Sequence, residues 1–489
     1  MFQQFLISYP MAKKRLDHHM QQVLSNIQYE YENGRKSALQ LLSNLMQTFP
    51  LPLIEEYAQG VCFLPLVLRL VNEESAICRK MIANDCLGVI FQRVSVQKMA
   101  ILWDYSQKWF SYGNELPLRR TAAQLFGLVI DHRPNFVQRD RANNLFDSFA
   151  STINNLNKDI CINKGYCNGD ADWEFSYFCL VSFEKLYKIC QGNEHNISVW
   201  TSILKSVVHS HPWVSLVASR IIYLHLSMFR PIDLIARAQE SKRSSCFVTV
   251  IPGSLYEIAR NICYLFNASN DIILKQEFVA LTAKALSWVL EAMYYHSNLC
   301  FKDSIIINFA EEDEQENYST STVSTNKIKN RSIHWVLVRL SGIAGKENSR
   351  REAVFKCFAA FAQNCNDIIS PYLRIILEPV NRCILDDEHK QKQQNNPLTE
   401  SSCDDKIVEL AKDLLQLLEE KCDTQQFLQS YAVVKTNATE KRVLRKQSLA
   451  AKAITDSKSY SEEKIKKQAS EKKRKKRRLD EKKQMKTLL

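Results

Sequence analysis

Apolar residues recur along most of this chain at the i, i+3, i+4, i+7 spacing of amphipathic helices. One stripe follows Asn33-Gly34 and ends before Pro50 and Pro52; its members are Ala38, Leu41, Leu42, Leu45, Met46 and Phe49. Proline cannot continue a helix, so these prolines predict where it ends. Similar stripes begin at Cys78, after Pro212 and at Ala353. Each helix is marginally stable alone, and we expect the helices to pack in antiparallel pairs.

The spacing of these stripes predicts the fold class. Helix pairs that recur every ~40–47 residues are typical of HEAT and armadillo repeats, and about nine pairs would fit before the C-terminal tail. The chain has only 11 Gly and 12 Pro, too few for the tight turns of an all-β protein of 489 residues. We therefore predict an all-α, HEAT/armadillo-like α-solenoid. A large irregular helical bundle remains the alternative, because the repeats share spacing and not identity.

Two polar stretches, 310–332 and 386–402, lack a helical apolar period. We expect both to be flexible. The predicted domain organisation has four parts: a HEAT-like repeat region at 1–384 with a flexible loop at 310–332, a polar linker at 385–402, a terminal helical unit at 403–434, and a basic, largely disordered or helical tail at 435–489.

Positive charge is concentrated in the tail. Residues 435–489 contain 20 Lys+Arg and 7 Asp+Glu; subtracting these from totals of 65 and 53 leaves 45 and 46 in residues 1–434. The basic character therefore belongs to the tail, and the preceding part is nearly neutral.

Basic clusters in the tail indicate phosphate binding, a nuclear localisation signal, or both. Lys472 to Arg478 are seven consecutive basic residues, more than an inert solvated face requires. After Tyr431 the sole aromatic residue is Tyr460, so we expect contacts to phosphates and not base stacking. The candidate residues are Lys441, Arg442, Arg445, Lys446, Lys464, Lys466, Lys467, Lys472, Lys473, Arg474, Lys475, Lys476, Arg477, Arg478, Lys482 and Lys483.

The sequence contains no convincing catalytic, cofactor-binding or metal-binding pattern. Ser341 to Asn348 (SGIAGKEN) has too few residues between its glycines for a phosphate loop, and Glu347 occupies the position of the magnesium-binding hydroxyl. His209 and His211 lack a third ligand nearby in the sequence. We predict a protein that is not an enzyme, has no cofactor or metal, and binds no small-molecule substrate.

The compartment is predicted to be the cytosol or the nucleus. The longest apolar stretch, Val61 to Val71, is too short to span a bilayer, and the N-terminal residues lack the pattern of a signal peptide. The 15 cysteines form no CxxC pair, and Cys78, Cys86 and Cys357 lie on apolar helical faces. We therefore expect reduced core cysteines and no membrane contact.

Several segments resemble the C-terminal region of the U3 small nucleolar RNA-associated protein 20 family, also called DRIM. The most specific segments are Tyr9–Leu42 and Phe63–Met81. Further similar segments follow in order: HPWVSLVASRI from His211, VRLSGIA from Val338, YLRIILEPV from Tyr372, and FLQSYAVV and EKRVLRKQ near the tail.

The resemblance implies a non-catalytic HEAT-repeat scaffold of the nucleolar small-subunit processome, which prepares 18S ribosomal RNA. Its implied partners are pre-rRNA or small nucleolar RNA and other processome proteins, and its implied location is the nucleus and nucleolus. Members of the family are several times longer, so we expect this chain to match only their C-terminal portion. The alternative is an importin-type transport or interaction adaptor, with an acidic inner groove and a localisation signal in its tail.

Overall fold

Helices are the sole regular elements in the described part of the chain, with no strand among them. The structure is a computed structural model and describes residues 6, 11–111, 115–162, 173–190, 197–240, 246–267, 276–296, 299, 325–346, 350–365, 368–393 and 403–456, with scattered residues from 458 to 472. The chain divides into two units, Met1–Val336 (unit 1) and Leu337–Leu489 (unit 2).

Unit 1 contains sixteen numbered α-helices among its described residues, and helix α17 crosses its end. They are α1 Lys13–Asn26, α2 Glu32–Thr48, α3 Leu51–Tyr57, α4 Phe63–Asn72, α5 Ala76–Lys80, α6 Val89–Arg93, α7 Val96–Ser111, α8 Leu116–His132, α9 Arg139–Ile162, α10 Trp173–Cys190, α11 Ile197–Ser206, α12 Pro212–Leu226, α13 Leu234–Glu240, α14 Phe247–Val250, α15 Ser254–Asn267 and α16 Gln276–Tyr295. Ala58–Cys62 and Met81–Gly88 are π-helical, and Pro134–Phe136 and Pro231–Asp233 form 3₁₀ turns.

Helices in unit 1 pack against helices close to them in sequence. Helix α8 packs against α7 and α10, and α10 in turn packs against α9 and α12. Helices α8 and α10 approach closely at Gly127, where an added Cβ would lie 2.7 Å from Ser182 Oγ. Ser182 Oγ donates a hydrogen bond of 2.7 Å to the carbonyl of Ala123 on the facing helix. A glycine is therefore needed where α8 meets α10.

Unit 2 begins within α17 (Thr325–Lys346) and continues through α18 Arg351–Asn364, α19 Leu373–Gln393, α20 Cys403–Lys421 and α21 Thr424–Thr455, with a 3₁₀ turn at Ser370–Tyr372. Helix α20 packs against α18 and α19, and α21 packs against α19. Arg351 Nε donates a hydrogen bond of 3.0 Å to the carbonyl of Ala344, joining the start of α18 to the end of α17. The predicted all-α, HEAT-like fold is confirmed.

The described helices cross three predicted segment boundaries, and the helix beyond 434 agrees with the prediction of a disordered or helical tail. Helix α19 continues to Gln393, past the predicted linker start at 385; α17 begins at Thr325, inside the predicted loop 310–332; and α21 passes through residue 434 without a break. The sequence prediction assumed that a segment without apolar periodicity is not helical. A helix that is exposed on most sides needs no apolar stripe, and Lys, Gln, Glu and Ala all favour helix. Residues 310–324 and 394–402 lie outside the described residues.

Cys78, Cys86 and Cys357 are buried, as expected for core cysteines, and their reduced state stays a prediction. Burial raises the pKa of the Cys62 thiol to about 12. A thiol in that state is a weak nucleophile, because the thiolate is the reactive form.

One helical run within the described residues, Leu51–Asn72, is long and apolar enough to cross a membrane by length and composition. The sequence expectation counted uninterrupted apolar residues and so missed this run. Core helices of soluble proteins also meet these criteria of length and apolar composition. Here Ile54, Leu66 and Leu70 are fully or almost fully buried in unit 1. The absence of a membrane contact stays a prediction.

Candidate nucleic-acid interface

Helix α21 presents most of its surface to solvent. Asp423 caps its N-terminus by accepting a hydrogen bond of 3.0 Å from the backbone N–H of Gln426. Phe427 and Val434 are its buried residues, and they hold its first half against the unit. The second half is mostly exposed and rich in cations.

Four of the sequence-predicted residues lie together on α21. Lys441, Arg445 and Lys446 are exposed and Arg442 is partly buried. Lys466 and Lys472 are exposed and helical. The remaining candidates lie outside the described residues: Lys464, Lys467, Lys473, Arg474, Lys475, Lys476, Arg477, Arg478, Lys482 and Lys483. Their role in binding stays a prediction.

A groove of about 570 Å³ lies between α17, α19 and α21, and we call it the unit 2 groove. Each helix contributes one face: residues 338, 341, 342 and 345 from α17, residues 374, 378, 381, 382 and 385 from α19, and residues 434, 437, 438, 441, 442 and 445 from α21 are among those that line it. Such spacings of three and four place side chains on the same side of a helix.

Several charged groups of the groove are already paired. Lys441 Nζ lies 2.8 Å from Glu378 Oε1. Arg382 Nη1 donates a hydrogen bond of 3.0 Å to the carbonyl of Gly345. Asp386 Oδ2 lies 3.2 Å from Arg351 Nη2. These contacts bind α19 to α21, α17 and α18 and compensate both carboxylates of the groove.

Three guanidinium groups of the groove are not compensated. Arg374, Arg442 and Arg445 line it and form no ion pair or hydrogen bond with the described residues. Arginine stays charged at every physiological pH and presents a planar fork of donors. The groove can therefore bind an anion at three points without breaking an existing ion pair.

The walls of the groove differ in how tightly they are packed. Asn381 is 2% exposed, and its Nδ2 has no hydrogen-bond partner among the described residues. On the opposite wall, an added Cβ at Gly342 would meet no atom within 4 Å. The wall formed by α17 at Gly342 therefore has room for a larger side chain, whereas the wall formed by α19 at Asn381 is tightly packed.

Sequence reasoning missed Arg374, Arg382 and Asn381. The i, i+4, i+8 spacing of Arg374, Glu378 and Arg382 signals a charged face on α19. It does not show which helix that face meets. Arg374 and Arg445 are far apart in the chain, and only the packing of α21 on α19 brings them to one groove.

The histidines considered as metal ligands are used in packing. The His211 ring stacks on Trp173 with centroids 3.6 Å apart, and His209 Nδ1 accepts a hydrogen bond of 2.9 Å from the backbone N–H of His211. Burial, together with the charge of His211, lowers the pKa of His209. No group of three or more metal-ligating side chains occurs among the residues described. Ser341 to Lys346 is helical, at the end of α17.

Residues 323–481 match the family profile described as small subunit processome component 20 homolog, C-terminal. This part of the chain is thus similar to the C-terminal region of that family. The U3 small nucleolar RNA-associated protein 20 of Schizosaccharomyces pombe is 30% identical over 227 residues, which are 45% of this chain and 9% of that protein. Its Saccharomyces cerevisiae counterpart is 19% identical over an alignment of 493 residues that covers 96% of this chain and 17% of that protein.

The chain thus spans less than a fifth of either curated relative. Among solved structures, importin β is similar with a TM-score of 0.41 and 11% identity, over 88% of this chain and 51% of that one. Kap95p from a complex with RanGDP has a TM-score of 0.37 and 13% identity, over 88% and 55%. The assignment of the fold rests on the helices and helix contacts of the chain itself.

Proposed function

We propose that this chain is a non-catalytic part of a nucleolar small-subunit processome scaffold, which supports 18S pre-rRNA processing and small-subunit assembly by binding proteins and rRNA phosphates. The observation that carries the proposal is the exposed basic half of α21. It lies inside the residues matched to the processome family, and its Arg442 and Arg445 have no ion-pair partner among the described residues.

Phosphate binding follows from the chemistry of these side chains. Guanidinium and ammonium groups that neutralise phosphates release counterions, and this release supplies most of the sequence-independent affinity for nucleic acid. The predicted tail residues from Lys464 to Lys483 extend the same positive charge. Since few aromatic residues accompany them, we expect the tail to hold RNA in place without reading its sequence.

Protein partners would use the helical surfaces of the repeat region. Exposed apolar side chains such as Leu64, Leu68 and Trp213 lie on helices of unit 1 and offer contact area for other processome proteins. The proposed organisation keeps the terminal helical unit at 403–434 and the basic tail from 435, joined by one helix. An importin-type adaptor predicts an acidic groove, whereas the unit 2 groove has three uncompensated arginines.

The test is purification of the tagged chain from nuclei of eukaryotic cells. We expect 18S precursor RNA and processome proteins to copurify, and RNase treatment to remove the RNA and part of the proteins. The comparison variant replaces Lys441, Arg442, Arg445 and Lys446 with Gln, and we expect it to recover less RNA while retaining its helical circular dichroism. Recovery of transport factors without precursor RNA would contradict the proposal.

A further inference from the structure

The unit 2 groove has the size and charge of a ligand site, and no residue that the structure describes fills it. Its volume of about 570 Å³ falls in the ~300–1,000 Å³ range of sites that enclose small organic groups. We propose that the groove binds a short single-stranded RNA segment, with phosphates at Arg374, Arg442 and Arg445. The choice of RNA as the ligand rests on the function proposed above.

The arrangement of the cations favours phosphates. Arg442 and Arg445 are three residues apart on α21, so their side chains leave the same face, with Cβ atoms ~5–6 Å apart. Arg374 approaches from α19 on the other side of the groove. Guanidinium groups bind phosphate oxygens through paired hydrogen bonds, so three arginines that line one groove can bind successive phosphates of one strand.

The size of the groove selects a single strand. A volume of about 570 Å³ accommodates about two nucleotides, whereas a duplex would have to remain outside and contact only the rim. Unpaired bases can leave the stack and enter a groove between helices. We therefore expect the site to bind loops or unpaired linkers in preference to helical RNA.

Continuity with the rest of α21 favours RNA over an acidic peptide. Arg442 and Arg445 belong to the groove, and Lys452 lies two turns beyond Arg445 on the same face of the helix. Arg445 and Lys452 are seven residues apart, a rise of about 10 Å along the helix. A strand that leaves the groove can follow these cations, whereas a short peptide would end within the groove.

Gly342 permits a test that adds a group to the groove without removing a contact. A side chain there starts in open space, because an added Cβ meets no atom within 4 Å. Gly342→Glu places a carboxylate in the groove, and Gly342→Gln places a neutral group of the same size. The matched control is Gly60→Glu in unit 1, where an added Cβ also meets no atom within 4 Å.

The assay is fluorescence anisotropy of a labelled 12-nucleotide oligouridine with the full chain. A charge ~6 Å from a phosphate in a water-like dielectric weakens binding about threefold per phosphate, so we expect Gly342→Glu to raise Kd about fivefold or more at low salt. Gly342→Gln should have a smaller effect, and Gly60→Glu should change Kd less than about twofold. Arg374 is exposed, and Arg374→Gln should also raise the Kd for oligouridine.

Additional variants and ligands distinguish a failure of the groove inference from a failure of the proposed function. If Gly342→Glu and Arg374→Gln leave the oligouridine Kd unchanged while replacing Lys473, Arg474, Lys476 and Arg477 with Gln weakens it, the groove inference is wrong and the proposed function stands. If none of these variants matters, both fail. If a glutamate-rich peptide binds in a manner sensitive to Gly342→Glu and oligouridine does not, the groove is a protein-docking site and the inference is overturned. Equal affinity for a hairpin duplex and for oligouridine would also overturn it.

Discussion

Replacement of Glu73 by Gln tests the buried ion cluster that joins α2 to the end of α4. The Glu73 side chain is fully buried, and its carboxylate accepts two hydrogen bonds of 2.9 Å from Arg35, one of 2.9 Å from Arg69 and one of 3.0 Å from the backbone N–H of Ser75. Arg35 also donates to the carbonyls of Tyr29 and Glu30. The cluster therefore fixes the loop before α2 as well as the turn after α4.

The expected loss follows from this geometry. Gln lacks the negative charge and turns one acceptor into an NH₂ group, which faces the donors of Arg35. Breaking a buried pair by removing one partner costs about 3–5 kcal/mol. Arg69 is 19% exposed and can be rehydrated, so we take the lower end, about 3 kcal/mol. This corresponds to an opening equilibrium that is about 150-fold more favourable.

Hydrogen exchange measured by mass spectrometry reports this opening locally. Peptides from α2 and α4 should exchange about 150-fold faster in Glu73→Gln, because opening becomes easier there by about 3 kcal/mol. Peptides from α21 should be unaffected. The matched control is Glu74→Gln, since the neighbouring Glu74 side chain is exposed and forms no ion pair among the described residues. Equal exchange in the two variants would refute the reasoning.

The same cluster should give an acid-dependent stability. Burial raises the pKa of the Glu73 carboxyl, but hydrogen bonds from Ser75, Arg35 and Arg69 outweigh burial and hold the pKa below its ordinary value. A depressed folded-state pKa stabilises the fold above the unfolded value of about 4.3, and this stabilisation is lost as the pH falls through the folded value. The exchange difference between Glu73→Gln and the wild type should therefore stay constant from neutral pH to ~5 and shrink below ~4.

Three smaller changes test other parts of the fold. Gly127→Ala should lower stability by about 1–3 kcal/mol in a thermal melt, because its Cβ would lie 2.7 Å from Ser182 Oγ. Gly342→Ala should instead raise stability by about 0.5–1 kcal/mol, because an added Cβ meets open space there. A lower stability of this variant would contradict the exposed helical environment of Gly342. At pH 8 a thiol reagent should react first with the exposed cysteines. Cys422→Ser should reduce the amplitude of this fast reaction, because Cys422 is partly exposed, whereas Cys62→Ser should not, because Cys62 is fully buried.

Hydrophobic spacing located helices with a buried face. The stripe from Ala38 to Phe49 lies on α2 and the residue after it, and Pro212 is the first residue of α12, as predicted. Buried faces leave a period in the sequence, because each turn of the helix must return an apolar side chain to the core. The same reasoning left the second half of α21 as either disordered or helical, because no face is buried there and no apolar period exists.

The unit 2 groove could not be predicted from the sequence. Its cations come from two helices, and the charge pattern of each helix identifies an exposed face without its neighbour. Lys441, Arg442 and Arg445 were found because they belong to a basic segment, whereas Arg374 lies in a nearly neutral part of the chain. The packing of α21 on α19, with buried residues such as Val434, determines which helix faces meet.

Salt dependence of RNA binding tests the central claim most directly, because binding to phosphates sums over many released counterions. Binding of the full chain to single-stranded RNA is measured at increasing salt, for the wild type and for the variant with Gln at Lys441, Arg442, Arg445 and Lys446. Each neutralised phosphate contributes about 0.7 to the slope of log affinity against log salt. Since Lys441 is paired with Glu378, three to four lost contacts should lower the slope by about 2–3. An unchanged slope, or no RNA binding by the wild type at low salt, would contradict the account.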